Sequence, residues 1–317
     1  MGAFAAFPLS YQRQGRAGRA LPIDKLSRVG RLIINADDFG LTQGVNRAIA
    51  ELNHEGVLTS ATIMAKALAT AEAVEIARAT PSLGVGCHVV LVDGEPLLSP
   101  GEIPKLARPN GRFAPSLSEF LRRLAVDRIF TGGLAQEIEA ESRAQIGRLQ
   151  SMGVRLTHVD SHKHTHMFPS VLRPLLRAAR AAGIRAVRNP FEPVWSIQAT
   201  TGAPWIRRAE VTMLRRLEPA FRRIVAEEGF VTTSGSIGVL ATGTLSAAAV
   251  ASLLAKLPAG VWELVSHPGY NDADLAHAHT RLTSSRDLER SALHAVKQFP
   301  ALELQSFAEL SCDPHER

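Results

Sequence analysis

Histidine is concentrated in one short stretch of this sequence, residues 157–167. The stretch holds four of the eleven histidines and one aspartate, and these five residues share even-numbered positions: His158, Asp160, His162, His164 and His166. In an extended strand alternate side chains point to the same face, so this spacing predicts five polar groups directed at one site. A histidine-rich polar loop is the alternative, although burying so many imidazoles without partners would be costly. The stretch therefore indicates a metal site or a proton-transfer site.

Other side chains capable of chemistry fall at or near the ends of predicted strands. Asp37 and Asp38 follow the apolar run 31–36, His88 lies in the run 84–91, and His267 comes before a Pro-Gly turn. Each has an ordinary explanation when taken alone. Adjacent acids often cap turns, a lone histidine in an apolar strand is usually a core residue, and a histidine before a turn can cap it.

Taken together, these side chains supply the parts of a metal-dependent hydrolase. One carboxylate and two imidazoles form a ligand set that leaves coordination positions for water and substrate. The cation lowers the pKa of bound water, a free carboxylate takes its proton, and a separate histidine protonates the leaving group. A metallophosphoesterase is one alternative, but the sequence has no glycine-rich phosphate loop. A non-enzymatic protein that uses the histidines to hold several ions is another.

The elements that must position these residues alternate between strands and helices. Strand patterns occur at 31–36, 60–65, 84–91, the histidine stretch, 185–188, 231–240, 262–267 and 302–307, with helical patterns between them. This alternation, without hairpin signals, predicts βα units around a parallel sheet. Seven or eight such units favour a (β/α) barrel variant in a single domain, with the chemistry at the carboxyl ends of the strands.

Composition is that of a globular protein, with 45% hydrophobic and 21% charged residues and no apolar run of membrane-spanning length. Residues 1–30 are expected to be a poorly ordered basic extension, and residues 31–317 the barrel domain. That extension carries five of the 36 basic residues, so the net charge of +6 is weak evidence for nucleic-acid binding. Having only Cys87 and Cys312 argues against a disulfide framework and favours a reducing cytoplasm.

Four motifs resemble the YdjC/ChbG carbohydrate deacetylases over about residues 31–290: 35–40 (NADDFG), 86–88 (GCH), 158–164 (HVDSHKH) and 266–268 (SHP). The resemblance implies a (β/α) barrel variant that removes N-acetyl groups from amino sugars with a divalent metal ion, Mg²⁺ or Zn²⁺. It also implies three metal ligands, Asp38, His88 and His162.

The same resemblance assigns the remaining site residues. Asp37 matches the general base and His267 the general acid, while Arg188 with Trp195 is similar to the arginine that orients the base in related polysaccharide deacetylases. With three protein ligands already present, His164 and His166 are expected to line the substrate pocket, together with Asp160 and Trp195.

Segments 90–96 and 185–188 are closest to the hopanoid-biosynthesis branch, HpnK, whose implied substrate is an N-acetylglucosaminyl hopanoid lipid. The expected partners are therefore an N-acetylated sugar or glycolipid, with no nucleic acid; a homodimer is left open. Residues 205–223 form a basic amphipathic segment interrupted by Pro219. Such a segment usually packs its apolar face on the core, but peripheral contact with an anionic membrane is the other possibility.

Overall fold

Strands and helices alternate along the chain, as the sequence pattern predicts. The computed structural model describes residues 30–278 and 280–310, so the predictions for residues 1–29 and for Cys312 lie outside these ranges. Within them the strands are β1 Gly30–Phe39, β2 Ser60–Ile63, β3 Gly84–Val89, β4 His158–Ser161, β5 Ala186–Val187, β6 Val231–Thr232, β7 Gly235–Ile237, β8 Gly260–Ser266 and β9 Glu303–Leu304. The predicted strand at 231–240 is thus two short strands, β6 and β7.

All the strands belong to one parallel sheet in the order β6-β5-β4-β3-β2-β1-β8-β7, with β9 also pairing with β1. Two residues separate the end strands β6 and β7. The segment after β5 bridges the gap, because the Asn189 side chain donates to the Thr233 carbonyl at 3.2 Å and the Ser236 amide donates to the Phe191 carbonyl at 3.2 Å. The sheet therefore forms a nearly closed barrel, and the predicted fold is confirmed.

Helices surround the barrel. They are α1 Gln43–His54, α2 Thr70–Ala79, α3 Leu117–Val126, α4 Leu134–Ser151, α5 Pro169–Ala181, α6 Val194–Ala199, α7 Trp205–Leu214, α8 Glu218–Glu227, α9 Ala247–Leu254, α10 Ala273–His277, α11 Ser285–Ala292 and α12 Phe307–Leu310. Some of them begin at a side-chain cap: the Thr42 hydroxyl accepts from the Val45 amide at the start of α1, and the Ser116 hydroxyl accepts from the Glu119 amide at the start of α3. None of the helices in the described ranges is both long and apolar enough to cross a membrane.

Side-chain alternation along β1 separates two apolar layers. Leu32 and Ile34 pack into the large core cluster that includes helix residues, whereas Ile33 belongs to a smaller cluster with Val261 and α12. Phe307 of α12 is fully buried and stacks on His158 of β4, with ring centroids 3.8 Å apart. The apolar base of the barrel thus leaves the carboxyl ends of the strands for the polar residues.

Candidate active site

A cavity of about 430 Å³ opens at the carboxyl ends of the strands. Asp37, Asp38, His88, His162 and His267 line it together with residues of α7 and the loops 93–117 and 280–282. Four non-glycine residues in the described chain have positive φ, and all four line this cavity: Asp38, Asp93, Lys163 and His164. Such backbone strain concentrates where surrounding structure fixes a functional arrangement.

The end of β1 explains how two adjacent aspartates reach one site. The register with β2 shifts between Ala36 and Phe39, so β1 has one extra residue there, and Asp38 has a φ of 64°. Regular alternation would send adjacent side chains to opposite faces, but this bulge redirects Asp38. Both carboxylates therefore line the cavity.

Asp38, His88 and His162 are the three predicted metal ligands, and the structure brings them together. Nε2 of His88 lies 3.5 Å from Oδ1 of Asp38, and Nδ1 of His162 also lies 3.5 Å from that oxygen. The two ring nitrogens are 3.4 Å apart. One carboxylate oxygen and two imidazole nitrogens thus form a nearly equilateral triangle that could hold a cation.

Asp160 orients His88 rather than lining the cavity. The two residues are register partners on β3 and β4, and Nδ1 of His88 lies 2.8 Å from Oδ1 of Asp160. Burial alone would lower the pKa of His88, but the Asp160 carboxylate raises it to about 9. A carboxylate on the far ring nitrogen fixes the ring and makes the near nitrogen a better metal donor.

Arg188 lies directly after β5 and is fully buried among carboxylates. Its Nη1 and Nη2 donate to the two oxygens of Asp37 at 2.8 and 2.6 Å, and it also pairs with Asp160 and Glu263. Burial alone would raise the pKa of Asp37, but the Arg188 guanidinium holds it far below its ordinary value. Asp37 therefore stays ionised and fixed in orientation.

A second possible ligand group, Asp37, His88 and Asp160, is less suited to a cation. Arg188 already occupies oxygens of both aspartates, and its positive charge would repel a metal ion placed there. The group containing Asp38 is therefore the better metal site.

Glu263 is a site residue that the sequence reasoning missed. Its carboxylate accepts from Nε of Arg188 at 2.7 Å, and burial raises its pKa to about 7 even though Arg188 lowers it. The sequence did contain a signal for Glu263, which is an acid in the middle of the apolar strand β8. A fully buried charge requires a partner, so such an acid indicates an ion pair.

Helix α11 contributes two more residues that were missed, Arg286 and Glu289, both buried. Nη2 of Arg286 donates to Oδ2 of Asp38 at 2.6 Å. Burial alone would raise the pKa of Asp38, but Arg286 holds it well below the ordinary value. The signal was a helix whose positions 286 and 289 lie one turn apart on the buried face.

His267 follows β8 and faces Asp37. Its Nε2 lies 3.8 Å from Oδ2 of Asp37, and its Nδ1 lies 3.6 Å from Oε2 of Glu289, which also accepts from the His267 amide at 2.6 Å. Burial alone would lower the pKa of His267, but the Glu289 carboxylate raises it above the ordinary histidine value. The protonated form of His267 is therefore favoured beside the ionised Asp37.

The prediction that five groups of the histidine stretch share one face is wrong beyond Ser161. Strand β4 ends there, and residues 162–167 form a 3₁₀ turn in which Lys163 and His164 adopt left-handed backbone angles. Period-two alternation applies only to extended chain, and after the turn His162 and His164 line the cavity whereas His166 does not.

The members of the stretch consequently have separate environments. His158 lies at the base of the barrel, where a Cβ on Gly86 would come within 2.6 Å of its ring. Nδ1 of His166 is 2.7 Å from the Ser161 hydroxyl, outside the cavity lining. His164 does line the cavity, and burial lowers its pKa to about 3, so the ring is neutral.

Trp195 is also absent from the cavity lining. Its ring packs edge-on against Trp262, with centroids 5.2 Å apart. Of the four predicted substrate-binding residues, Asp160, His164, His166 and Trp195, only His164 borders the cavity.

Comparison with known proteins identifies the family of this chain. The sequence model of the YdjC-like protein family matches residues 31–309. The chain belongs to the YdjC-like family. This match does not distinguish the HpnK branch from the other members of the family.

Two similar proteins of known sequence are named carbohydrate deacetylases. The one from Brevibacillus brevis is 42% identical over 161 residues, which cover 51% of this YdjC-like chain and 60% of that relative. The one from Thermoanaerobacter pseudethanolicus is 29% identical over 262 residues, covering 83% of this chain and 90% of the relative.

A crystal structure from Enterococcus faecalis V583, of a protein provisionally named for cellobiose-phosphate cleavage, is also similar to this YdjC-like chain. It superposes with a TM-score of 0.70 at 25% identity, covering 89% of this chain and 99% of the other. The barrel is thus shared over nearly its whole length.

Proposed function

We propose that this YdjC-like protein is a metal-dependent hydrolase that removes an N-acetyl group from an amino-sugar substrate. The observation that carries the proposal is the triangle of Asp38, His88 and His162, with the ionised Asp37 adjacent to it in the chain and His267 across from Asp37. The names of the two carbohydrate deacetylases support the reaction class. The two cysteines and the buried free thiol of Cys87 are consistent with the cytoplasm as its site of action.

The donor set fits a divalent ion. For ligand bonds of about 2.1 Å, neighbouring donors around a tetrahedral Zn²⁺ are about 3.4 Å apart, and the three observed separations are 3.4, 3.5 and 3.5 Å. Mg²⁺ would bind the same three residues with additional waters, and its octahedral geometry would bring neighbouring donors to about 3.0 Å, closer than the observed separations. When bound, the ion would polarise the acetamide carbonyl and lower the pKa of a bound water.

Asp37 would accept the proton of the attacking water. Its low pKa keeps the carboxylate ionised but makes it a weaker base, so its contribution depends on position more than on basicity. Arg188 fixes that position through two hydrogen bonds. Arg188 is accordingly a positioning residue for Asp37.

His267 would donate a proton to the departing sugar amine. Its raised pKa keeps the imidazolium populated to higher pH than in an ordinary histidine. Its Nε2 is on the Asp37 side of the ring, so base and acid share one end of the cavity.

The rest of the cavity suits a substrate with polar and apolar parts. His164 borders the cavity as a neutral imidazole, a ring that can hydrogen-bond a sugar hydroxyl. Leu117, Val211 and Leu214 add apolar lining. A chitooligosaccharide-like sugar would contact His164. An N-acetylglucosaminyl hopanoid, the substrate implied by the resemblance to the HpnK branch, would contact both His164 and the apolar lining.

Acetate release from a panel of N-acetyl sugars and glycolipids tests the proposal. Activity should disappear with chelator and return with one divalent ion per chain. His162→Ala should weaken the affinity for the metal by more than about a hundredfold, which exceeds the loss typical when a residue that only hydrogen-bonds to a ligand is removed. The matched control is His277→Ala, because His277 is exposed. Several bound ions with no acetate release from any substrate would favour a metal-storage protein instead.

A further inference from the structure

Helix α7 lies beside the catalytic cavity and presents two different faces. Arg207, Val211 and Leu214 line the cavity. Val211 is the helix's one buried residue, so α7 has little contact with the core. The other face is turned away from the cavity and is available for a partner.

That other face is apolar and open. Trp205 is 77% exposed, Ile206 55% and Met213 59%, and they are among the few large hydrophobic side chains exposed in the described chain. An outer groove of about 470 Å³ is lined by residues at helical spacing: Trp205, Arg208, Ala209, Thr212, Met213 and Arg216. The packing of this apolar face on the core, the arrangement usual for such a segment, is therefore not found in α7.

Segment 205–223 is broken near Pro219, and its apolar residues pack differently on the two sides of the break. The helix ends at Leu214, and after a 3₁₀ turn Pro219 lies in the first turn of α8. Phe221, Ile224 and Val225 of α8 are buried. The apolar residues after the break thus pack in the core, whereas Trp205, Ile206 and Met213 before it remain exposed.

Charge identifies what the exposed face would contact. Residues 205–216 carry four arginines against one glutamate, Glu210. Arg208 and Arg216 line the outer groove, and Arg216 is exposed, whereas Arg207 lines the cavity and lies 3.7 Å from Glu210. A symmetric contact with a second copy would bring these like charges together, which is unfavourable. An anionic surface would complement them.

We propose that α7 docks the protein on an anionic membrane surface, with Trp205, Ile206 and Met213 entering the headgroup region and the arginines contacting lipid phosphates. Tryptophan favours the membrane interface, and a short helix with apolar residues and arginines is typical of peripheral attachment. Docking does not depend on catalysis, so it goes beyond the proposed function. It would hold the cavity next to the lipid layer.

Co-sedimentation of the full chain with vesicles tests the proposal. The protein should bind vesicles containing phosphatidylglycerol, bind phosphatidylcholine vesicles far less, and dissociate as salt screens the arginines. Trp205→Ser and Met213→Ser should each weaken binding by about tenfold, and Arg216→Gln should weaken binding to the anionic vesicles in particular. The control is Leu288→Ser, which removes a 43% exposed side chain from α11.

Three results would overturn the proposal: no binding to anionic vesicles at low salt, binding unchanged in both serine variants, or a dimer that Trp205→Ser dissociates. Folding of each variant is checked by thermal unfolding. Because Trp205 and Met213 lie outside the cavity, hydrolysis of a water-soluble N-acetyl sugar should be unchanged in these variants. Loss of vesicle binding with retained hydrolysis thus separates this inference from the proposed function.

Discussion

Asp37 and Asp38 are sequence neighbours whose carboxylates meet different arginines. Arg188 holds Asp37 with two hydrogen bonds, and Arg286 holds one oxygen of Asp38 and leaves the other facing two imidazoles. The sequence predicted that one acid binds metal while the other serves as base. The family resemblance pointed to Arg188 as the partner of the base Asp37, but nothing in the sequence indicated Arg286 as the partner of Asp38, because it lies 248 residues away along the chain.

Replacing Asp37 by Asn should preserve metal binding and lower kcat by about a hundred- to ten-thousandfold, the range typical of a lost general base. The fold should persist because Arg188 retains Asp160 and Glu263 as partners. Steady-state acetate release and metal analysis of the same preparation check this. Asp93→Asn, which changes another acid lining the cavity, is the comparison. Wild-type turnover in the Asp37 variant would remove it from the base role.

The pKa of His267 gives a pH prediction with a definite sign. Glu289 raises this pKa, so the proton-donating form is present at lower pH and is lost as the pH rises through the raised value. Activity should therefore fall on the alkaline side. Glu289→Gln removes the negative charge and should move that alkaline limb to lower pH.

A pH–rate profile of Glu289→Gln at saturating metal measures this shift. Asp287→Asn is the matched control, because Asp287 lies on the same helix and pairs with Arg290 at the surface. An alkaline limb that stays at its wild-type position in Glu289→Gln would mean that Glu289 supports the loop without tuning His267.

At the scale of elements, helix α11 joins the two halves of the candidate site. Arg286 reaches the metal-side Asp38, and Glu289 one turn later reaches His267. The sequence predicted a helical pattern between the strands at 262–267 and 302–307, but it did not indicate that the buried face of that helix is charged. Helix patterns reveal apolar faces, and a buried ion pair becomes visible only when its partner is known.

Arg286→Met should lower the free energy of unfolding by about 3–5 kcal/mol in chelator, because it leaves the buried Asp38 carboxylate unpaired. Added metal should recover part of this loss, since a cation would neutralise the same carboxylate. Urea unfolding with and without metal provides the measurement. Arg290→Met should cost at most about 1 kcal/mol, because Arg290 is near the surface, pairing with Asp287 and stacking on Tyr270. Equal losses for the two variants would contradict the argument.

The histidine stretch shows where element-scale prediction ends. Asp160 and His162 were singled out by alternation, and both take part in the site. The alternation failed after Ser161 because the backbone turns through left-handed angles at Lys163 and His164. Neither residue is a glycine or an asparagine, so the sequence carried no signal for that conformation.

At the scale of the whole molecule, the barrel could be predicted because it depends on strand and helix order, which the apolar pattern records. Its closure could not, since β6 and β7 meet through side chains and backbone of residues 189–191 rather than through a regular ladder. Helix α12, Phe307–Leu310, forms a plug at the base of the barrel, and it was missed for a similar reason. Helix α12 has four residues, too few for a periodic pattern.

That plug carries a prediction about the stability of the entire barrel. Phe307 is fully buried and stacks on His158 between the amino ends of the strands, so Phe307→Ala should leave a cavity and lower the free energy of unfolding by about 3–5 kcal/mol. The exposed Phe130→Ala, which removes the same ring from the surface, should change it by less than about 0.5 kcal/mol. Urea unfolding followed by tryptophan fluorescence compares the two. Metal binding should be nearly unchanged in Phe307→Ala, because the plug and the ligand triangle lie at opposite ends of the barrel. A stability loss no larger than that of Phe130→Ala would show that α12 merely covers the barrel and does not hold it together.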